Sequence, residues 1–400
     1  MIIRKILYIC FALFFFFSAP SLAQEDLTSP VTWQEKMRGR LDTLLMQPLL
    51  EKSQVAIMVQ DLMTDEIVYA VNERQTMRPA STMKIITAVT ALDLLGGNYR
   101  FTTRVGYEGE IKDSVLYGDL RIKGGFDPLF DGSDMHRIGQ MLTDSGIKTI
   151  DGNIIIDQTM KDTLQYGEGW CWDDDNPVLH PFVYHHGLDS IWFPLPFSGT
   201  VVEQMQPVVR ADDDTLVTVI LGEVTHGMAK VLEPMMKKSN NYFAESVFYQ
   251  IAASQSVGEP ASALHAKKAV NRLINRIGLK SADYKVADGS GLSLYNYVSA
   301  ELLTRVLRYA YRKPSVYKYF APSLPMAGND GTLEKRMRKT VAAGNVRAKT
   351  GTLTGIISLA GYCTAANGHP LAFTIINQGV LKGKDARDFQ DKVCEVLCKE

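Results

Sequence analysis

The sequence predicts an α+β fold, an antiparallel sheet flanked by helices and interrupted by a β-rich insert. Three observations predict it. Two β-prone runs near residues 55–69 flank a polar turn, apolar residues recur at helical spacing over 81–95 and again over 228–277, and three strand-like runs near the C-terminus precede a closing helix. The chain has 400 residues, 46% hydrophobic and 22% charged, enough to bury a large core. Its 43 basic and 44 acidic side chains nearly cancel. That balance gives no global pull toward nucleic acid or an anionic bilayer, so no nucleic-acid partner is expected.

The first residues have the parts of an export signal. Arg4 and Lys5 precede an apolar run from Ile6 to Phe17, and the small residues Ser21 and Ala23 follow. The run is too short for a spanning helix, which needs about 20 residues. Residues 1–23 are therefore expected to be removed near Ala23, leaving a soluble, exported protein, periplasmic or otherwise extracytoplasmic, with no transmembrane span. Cys10 leaves with the signal, and Cys171, Cys363, Cys394 and Cys398 remain where disulfides are permitted. Their pairing is open. Cys394 and Cys398 share a helix face at a spacing that does not favour a bridge between them, and structural thiols are expected rather than catalytic or metal-binding ones.

After the hairpin, Met83, Ile85, Ile86, Val89, Leu92 and Leu95 form a helical pattern that Ser81 opens and Gly96-Gly97 stops. From Phe101 to about Thr215 short β-type segments are broken by glycine, and an acidic tract follows Trp170. A strand over 217–221 and helices over 228–236, 242–253 and 263–277 come next. Strands over 346–349, 356–363 and 371–377 and a helix over 386–397 complete the chain. The expected division is a discontinuous domain of residues 24–99 and 216–400 with an insert of residues 100–215.

Ser81 and Lys84 stand at i and i+3, on one face of the first helical turn. Serine attacks poorly until a base takes its proton, and an amine can do so once burial or a second cation lowers its pKa. Free N–H groups at a helix start can also stabilise a developing oxyanion. Lys349-Thr350-Gly351-Thr352 offers a cation, hydroxyls and a residue without a side chain past which a substrate backbone can run. Ser239-Asn240-Asn241 puts a hydroxyl and an amide before a helix. Alone, each fits a cap, a surface lysine or a strand end. Their joint order is informative.

That order resembles the serine β-lactamase and penicillin-binding protein superfamily. Arg78-Pro79-Ala80-Ser81-Thr82-Met83-Lys84, Lys237-Lys238-Ser239-Asn240-Asn241, Asp288-Gly289-Ser290-Gly291-Leu292-Ser293, Leu324-Pro325-Met326-Ala327-Gly328, Gly331-Thr332-Leu333 and Ala348-Lys349-Thr350-Gly351-Thr352-Leu353 carry the resemblance. Within the superfamily it points to the D-alanyl-D-alanine carboxypeptidase/endopeptidase family of the penicillin-binding protein 4 type. The long stretch between Lys84 and Ser239 leaves room for an inserted domain, and no acid is identified as the deacylating glutamate of a class A β-lactamase. The stretch between the acidic tract and Ser239 is short for that family, which implies a reduced insert.

The resemblance implies a transpeptidase-like fold and a set of roles. Ser81 would be the nucleophile and Lys84 its base. Ser239 would help pass a proton to the leaving amine, Lys349 would tune that path electrostatically, and Asn241 would hold the substrate amide. Thr350 and Thr352 would bind the terminal carboxylate past Gly351, and the backbone N–H groups of Ser81 and Thr352 would form the oxyanion hole. Asp174 would meet the charged end of the stem peptide's third residue. Peptidoglycan stem peptides are the implied substrate and β-lactams covalent inhibitors, with no cofactor and no metal. The acidic tract with His180, His185 and His186 also raises a metal site, but its spacing fits no standard motif. A serine β-lactamase and a non-catalytic wall-peptide-binding protein are the alternatives.

Overall fold

The computed structural model describes residues 31–185, 191–207 and 218–399. The signal expected over residues 1–23, Cys10, His186 and Val217 lie outside them. Helix α1 (Trp33–Leu45) is followed by the hairpin β1 (Gln54–Asp61) and β2 (Ile67–Val71), then by α2 (Met83–Leu94). Strands β3 (Arg100–Lys112) and β4 (Val115–Lys123), helix α3 (Gly132–Asp144) and strands β5 (Thr149–Asp151), β6 (Ile154–Asp157), β7 (Val201–Gln204) and β8 (Val219–Gly227) come next. Helices α4 (Met228–Lys237), α5 (Asn241–Gln255), α6 (Ala263–Arg276), α7 (Ala300–Arg312) and α8 (Pro314–Ser323) lead to β9 (Arg347–Leu353), β10 (Ile356–Thr364), β11 (Pro370–Gln378) and α9 (Gly383–Lys399).

The first sheet has the order β2-β1-β11-β10-β9 and is antiparallel throughout. The N-terminal hairpin therefore pairs with a C-terminal strand, in register from Gln54 opposite Gln378 to Asp61 opposite Leu371. Alternation divides the sheet between two cores. Ala56 and Met58 face a core shared with α2, α5 and α7, whereas Val55, Ile57 and Val59 face α1 and α9. Covered on both faces, β10 and β11 read as nearly continuous apolar runs rather than alternating ones. Helix α2 runs through the larger core with every residue from Met83 to Leu92 buried. A helix apolar all round belongs in that position.

The second sheet runs β7-β6-β4-β3-β8, with β5 beside β4, and packs α3 against Leu116, Leu120, Ile122, Ile154 and Ile156. The insert is β-rich, and it also holds a helix that the sequence reading did not assign: α3 carries Met135, Ile138 and Leu142 on its buried face, and an Asp131/Asp134 capping box starts it. The expected junction at 215/216 fails to match the sheet and is corrected. β8 pairs with β3 from Arg100 opposite Gly227 to Tyr107 opposite Val219, so the second sheet continues to Gly227. Backbone pairing over those residues binds the strand to the insert rather than to the helix after it.

Candidate active site

Ser81 sits in a short 3-10 turn, Ala80–Thr82, that leads into α2 rather than inside the α-helix. The Pro79 carbonyl anchors this turn, accepting hydrogen bonds from Thr82 Oγ1 at 2.7 Å and Ser358 Oγ at 2.6 Å. Ala80 is held at φ +49°, a left-handed conformation costly for a residue with a side chain. Gly291 at φ +81° lies so close that a Cβ there would stand 1.9 Å from the Ala80 carbonyl oxygen. Arg78 ties the approach to the turn by donating to the Leu294 carbonyl at 2.9 Å and to Tyr297 Oη at 3.2 Å.

Three motifs far apart in sequence converge on this turn. Lys84, fully buried, places its Nζ 2.9 Å from Ser81 Oγ, 2.7 Å from Asn241 Oδ1 and 2.8 Å from the Ser290 carbonyl oxygen. Lys349, also fully buried, donates to Ser239 Oγ and to the Thr350 carbonyl, both at 2.8 Å. Ser239 does not cap α5. It stands at φ +59°, and Asn240 is the cap, accepting from the Phe243 N–H at 3.2 Å.

Strand β9 is an edge strand of the first sheet; its N-terminal end is bridged to Met326, and the Ala348 N–H donates to the Pro325 carbonyl at 3.0 Å. Lys349 and Gly351 are buried on one face, while Thr350 and Thr352 alternate to the other and are partly or fully exposed. Thr350 Oγ1 donates to Thr332 Oγ1 at 2.8 Å. An open edge with hydroxyls beside it suits an extended peptide, which can pair with the strand backbone.

Burial brings the Lys84 amine down to about 7, although the charges of Asp288 and Glu245 pull it upward. Of the two causes open from the sequence, burial and a second cation, burial is the one that acts, and Lys349 is not among the groups that shift Lys84. Desolvation is the cause, and charge acts the other way round: burial first, then the Lys84 charge, holds Lys349 well below the ordinary lysine value. An amine near 7 is neutral often enough to accept a proton close to neutral pH.

Beside the C-terminal end of β9 a groove of about 970 Å³ is lined by Arg78, Asp173, Asp174, Leu294, Leu353 and Gln378. Asp174 thus faces the groove, and its Oδ2 also accepts the Cys171 N–H at 3.0 Å, which braces the acidic loop. The loop is tied to the 288–293 segment beside Lys84 through Trp170 Nε1, which donates to Asp288 Oδ2 at 2.9 Å. Asp288 in turn accepts the backbone N–H groups of Gly291 at 2.8 Å and Ser293 at 2.7 Å. Cys171, Cys363, Cys394 and Cys398 are all free, and the last three are buried. Among the described residues no cluster of three or more His, Cys, Asp or Glu side chains is arranged to hold a metal ion.

Sequence reasoning assigned no role to Ser290, Thr332 or Glu245. Ser290 and Thr332 lie inside stretches that carried the resemblance, but a backbone carbonyl leaves no mark in side-chain chemistry, and Glu245 looks like any polar helical residue one turn beyond Asn241.

The family model of the D-Ala-D-Ala carboxypeptidase 3 (S13) family matches residues 37–183 and 197–399. The chain belongs to this family. This S13 chain is 26% identical to the D-alanyl-D-alanine carboxypeptidase of Actinomadura sp. (strain R39), over 86% of its own length and 81% of the relative's. The crystal structure of penicillin binding protein 4 from Haemophilus influenzae superposes with a TM-score of 0.78 at 23% identity, covering 88% of the S13 chain and 97% of that one. A second structure of the Haemophilus protein, complexed with a novel β-lactam, gives a TM-score of 0.70. The S13 chain therefore has the penicillin-binding protein 4 fold.

Proposed function

We propose that this protein is a serine-type D-Ala-D-Ala carboxypeptidase and D,D-endopeptidase that acts on peptidoglycan stem peptides through an acyl-enzyme on Ser81. The observation that carries the reading is the buried Lys84 amine 2.9 Å from Ser81 Oγ, with a second buried amine, Lys349, on Ser239. The family and the Actinomadura carboxypeptidase support the substrate class.

Neutral Lys84 accepts the Ser81 proton as Oγ attacks the carbonyl of the penultimate D-alanine or of the cross-link. The oxyanion develops toward the backbone N–H groups of Ser81 and Thr352, donors of a type worth about 3 to 4 kcal/mol of barrier each. Ser239, in contact with Lys349, relays a proton to the leaving amine, and the C–N bond breaks. Asn241 holds the substrate amide, and Thr350 and Thr352 bind the terminal carboxylate. Asp174 lines the groove where a stem-peptide ammonium would lie. Water then attacks the ester and frees Ser81. The strained β-lactam ring acylates the same serine but leaves no separate amine, so release is slow.

Export follows from the same reading. The substrate lies outside the cytoplasm, and residues 1–23 carry the composition of a signal. No helix among the described residues is long and apolar enough to cross a membrane.

A fluorescent penicillin tests the assignment. Stable labelling lost in Ser81→Ala supports the peptidase, rapid release of hydrolysed drug indicates a β-lactamase, and absence of labelling indicates a binding protein. Mass analysis of fragments released from purified cell wall separates removal of terminal D-alanine from cutting of cross-links.

A further inference from the structure

Three groups lie within hydrogen-bond distance of the Lys84 amine, and their chemistry is unequal. Asn241 Oδ1 at 2.7 Å and the Ser290 carbonyl oxygen at 2.8 Å can only accept, whereas the Ser81 hydroxyl at 2.9 Å can donate. A neutral amine has two N–H bonds and one electron pair. The two acceptors take the hydrogens, which leaves the electron pair directed at the Ser81 proton. The aim of the base is therefore decided by its acceptors, since the lysine stem is flexible in itself.

Both acceptors are governed from one helix face. Asn241 opens α5, and Glu245 stands one turn later on the same side. The Glu245 carboxyl is buried, and its Oε1 accepts the N–H of Gly289 at 3.0 Å and of Ser290 at 2.7 Å. Ser290, whose N–H is held, also presents its carbonyl to Lys84. From α2, Thr87 Oγ1 grips the same segment by donating to the Gly289 carbonyl at 2.6 Å.

We propose that Glu245 is a positioning residue: by holding the Gly289 and Ser290 amides it fixes the Ser290 carbonyl as an acceptor of Lys84 and so aims the amine's electron pair at Ser81. This rests on the reading of Ser81 as nucleophile and Lys84 as base. Burial and then the Asp288 charge push Glu245 up to about 8, so near neutrality it serves as a hydrogen-bond acceptor more than as a charge.

Two substitutions separate reach from charge. Glu245→Gln keeps the reach and an acceptor oxygen, and Glu245→Asp keeps the carboxyl but withdraws it by one methylene. The limiting rate of Ser81 acylation by a fluorescent penicillin is measured per folded molecule at pH about 9, where an amine titrating near 7 is neutral and a lost rate reports direction. Glu245→Gln is expected within about threefold of wild type, and Glu245→Asp slower by about 30-fold or more, as a misdirected base requires. A folded Gln variant that loses about 30-fold, an Asp variant at the wild-type rate, or an Asp deficit that raising the pH restores would overturn the proposal. If the Asp variant does not fold, the Gln rate decides alone. Wild-type protein that is not labelled, or labelling that survives Ser81→Ala, sinks the underlying assignment of Ser81 instead.

Discussion

Gly351 lies against the turn that carries Ser81: a Cβ at position 351 would stand 2.9 Å from the Ser81 nitrogen, 2.8 Å from the Pro79 carbonyl oxygen and 2.2 Å from Ser358 Oγ. The glycine between Thr350 and Thr352 is thus required by close packing of β9 on the Ser81 turn. Two of the three obstructing atoms belong to backbone and cannot rotate away. Gly351→Ala is expected to displace Ser81 from Lys84 and to slow penicillin acylation by about 100-fold, the scale of a misplacement near 1 Å. The strain should destabilise the fold by about 1 to 3 kcal/mol. Acylation kinetics and thermal melting on one preparation check both effects.

On the proposed mechanism Lys84 sets the pH dependence. The base must be neutral to act, so acylation is expected to rise with pH through about 7 and level off above it. Lys84→Arg should abolish acylation at every accessible pH, because guanidinium keeps its proton. A stopped-flow pH series reads the midpoint, and a midpoint near the ordinary lysine value would contradict the desolvated amine.

The same shift has a stability consequence of opposite sign. Lys84 titrates at about 7 when folded and near 10.4 when unfolded, so the cost of burying it accumulates across the pH range where the unfolded chain is protonated and the folded one is not. That cost is absent above about pH 10, grows as pH falls, and is complete below about 7. Lys84→Met, catalytically dead, is therefore expected to gain stability relative to wild type as pH is lowered from about 10 to 7. Denaturant melts of the two proteins across that range test the slope.

Asp93, near the end of α2, joins three helices. Its carboxylate accepts from Lys313 at the start of α8, from Arg276 of α6 at 2.5 Å and from Tyr309 of α7 at 2.6 Å. Burial alone would raise its pKa, but the Lys313 and Tyr309 hydrogen bonds and the neighbouring cations outweigh it and hold the group below its usual value. Because the folded value is depressed, this stabilisation is present above the unfolded carboxylate value near 4 and is lost as pH falls through the folded one. Asp93→Asn should cost about 2 to 4 kcal/mol at pH 7 and much less in acid, read by melting at the two pH values.

Thr352 tests the carboxylate assignment. It is exposed on the edge strand and is expected to offer its hydroxyl to a charged terminus. Loss of one hydrogen bond to an ionised group costs about 1.5 to 3 kcal/mol, so Thr352→Val should lower kcat/KM for release of terminal D-alanine by about 10- to 100-fold. Peptides with an amidated C-terminus, which lack the charge, should be little affected. Equal loss on both substrates would remove Thr352 from that role.

Much of this was written locally. The hairpin β1–β2, helix α2 and the run β9-β10-β11-α9 are legible because period and turn residues depend on neighbours in sequence. Ser81, Lys84, Ser239, Asn241 and Lys349 were legible as motifs because the nucleophilic chemistry proposed for them restricts residue type. Helix α3 was obscured by the glycine-rich texture around it, although the Asp131/Asp134 box was present, and β8 was assigned to the wrong side of a junction because pairing with β3 is not a local property.

The amino-acid order by itself determined which groups can react and, where the period was clear, which segments are helix or strand. Tertiary structure alone decided that Lys84 and Lys349 lose their water, that the Ser290 carbonyl meets Lys84 while Glu245 holds the Ser290 amide, and that Gly351 abuts Ser81. The physical reason is range. Propensity and periodicity act within a few residues, whereas desolvation and hydrogen-bond direction depend on atoms from α2, α5, the 288–293 loop and β9 packed around one point.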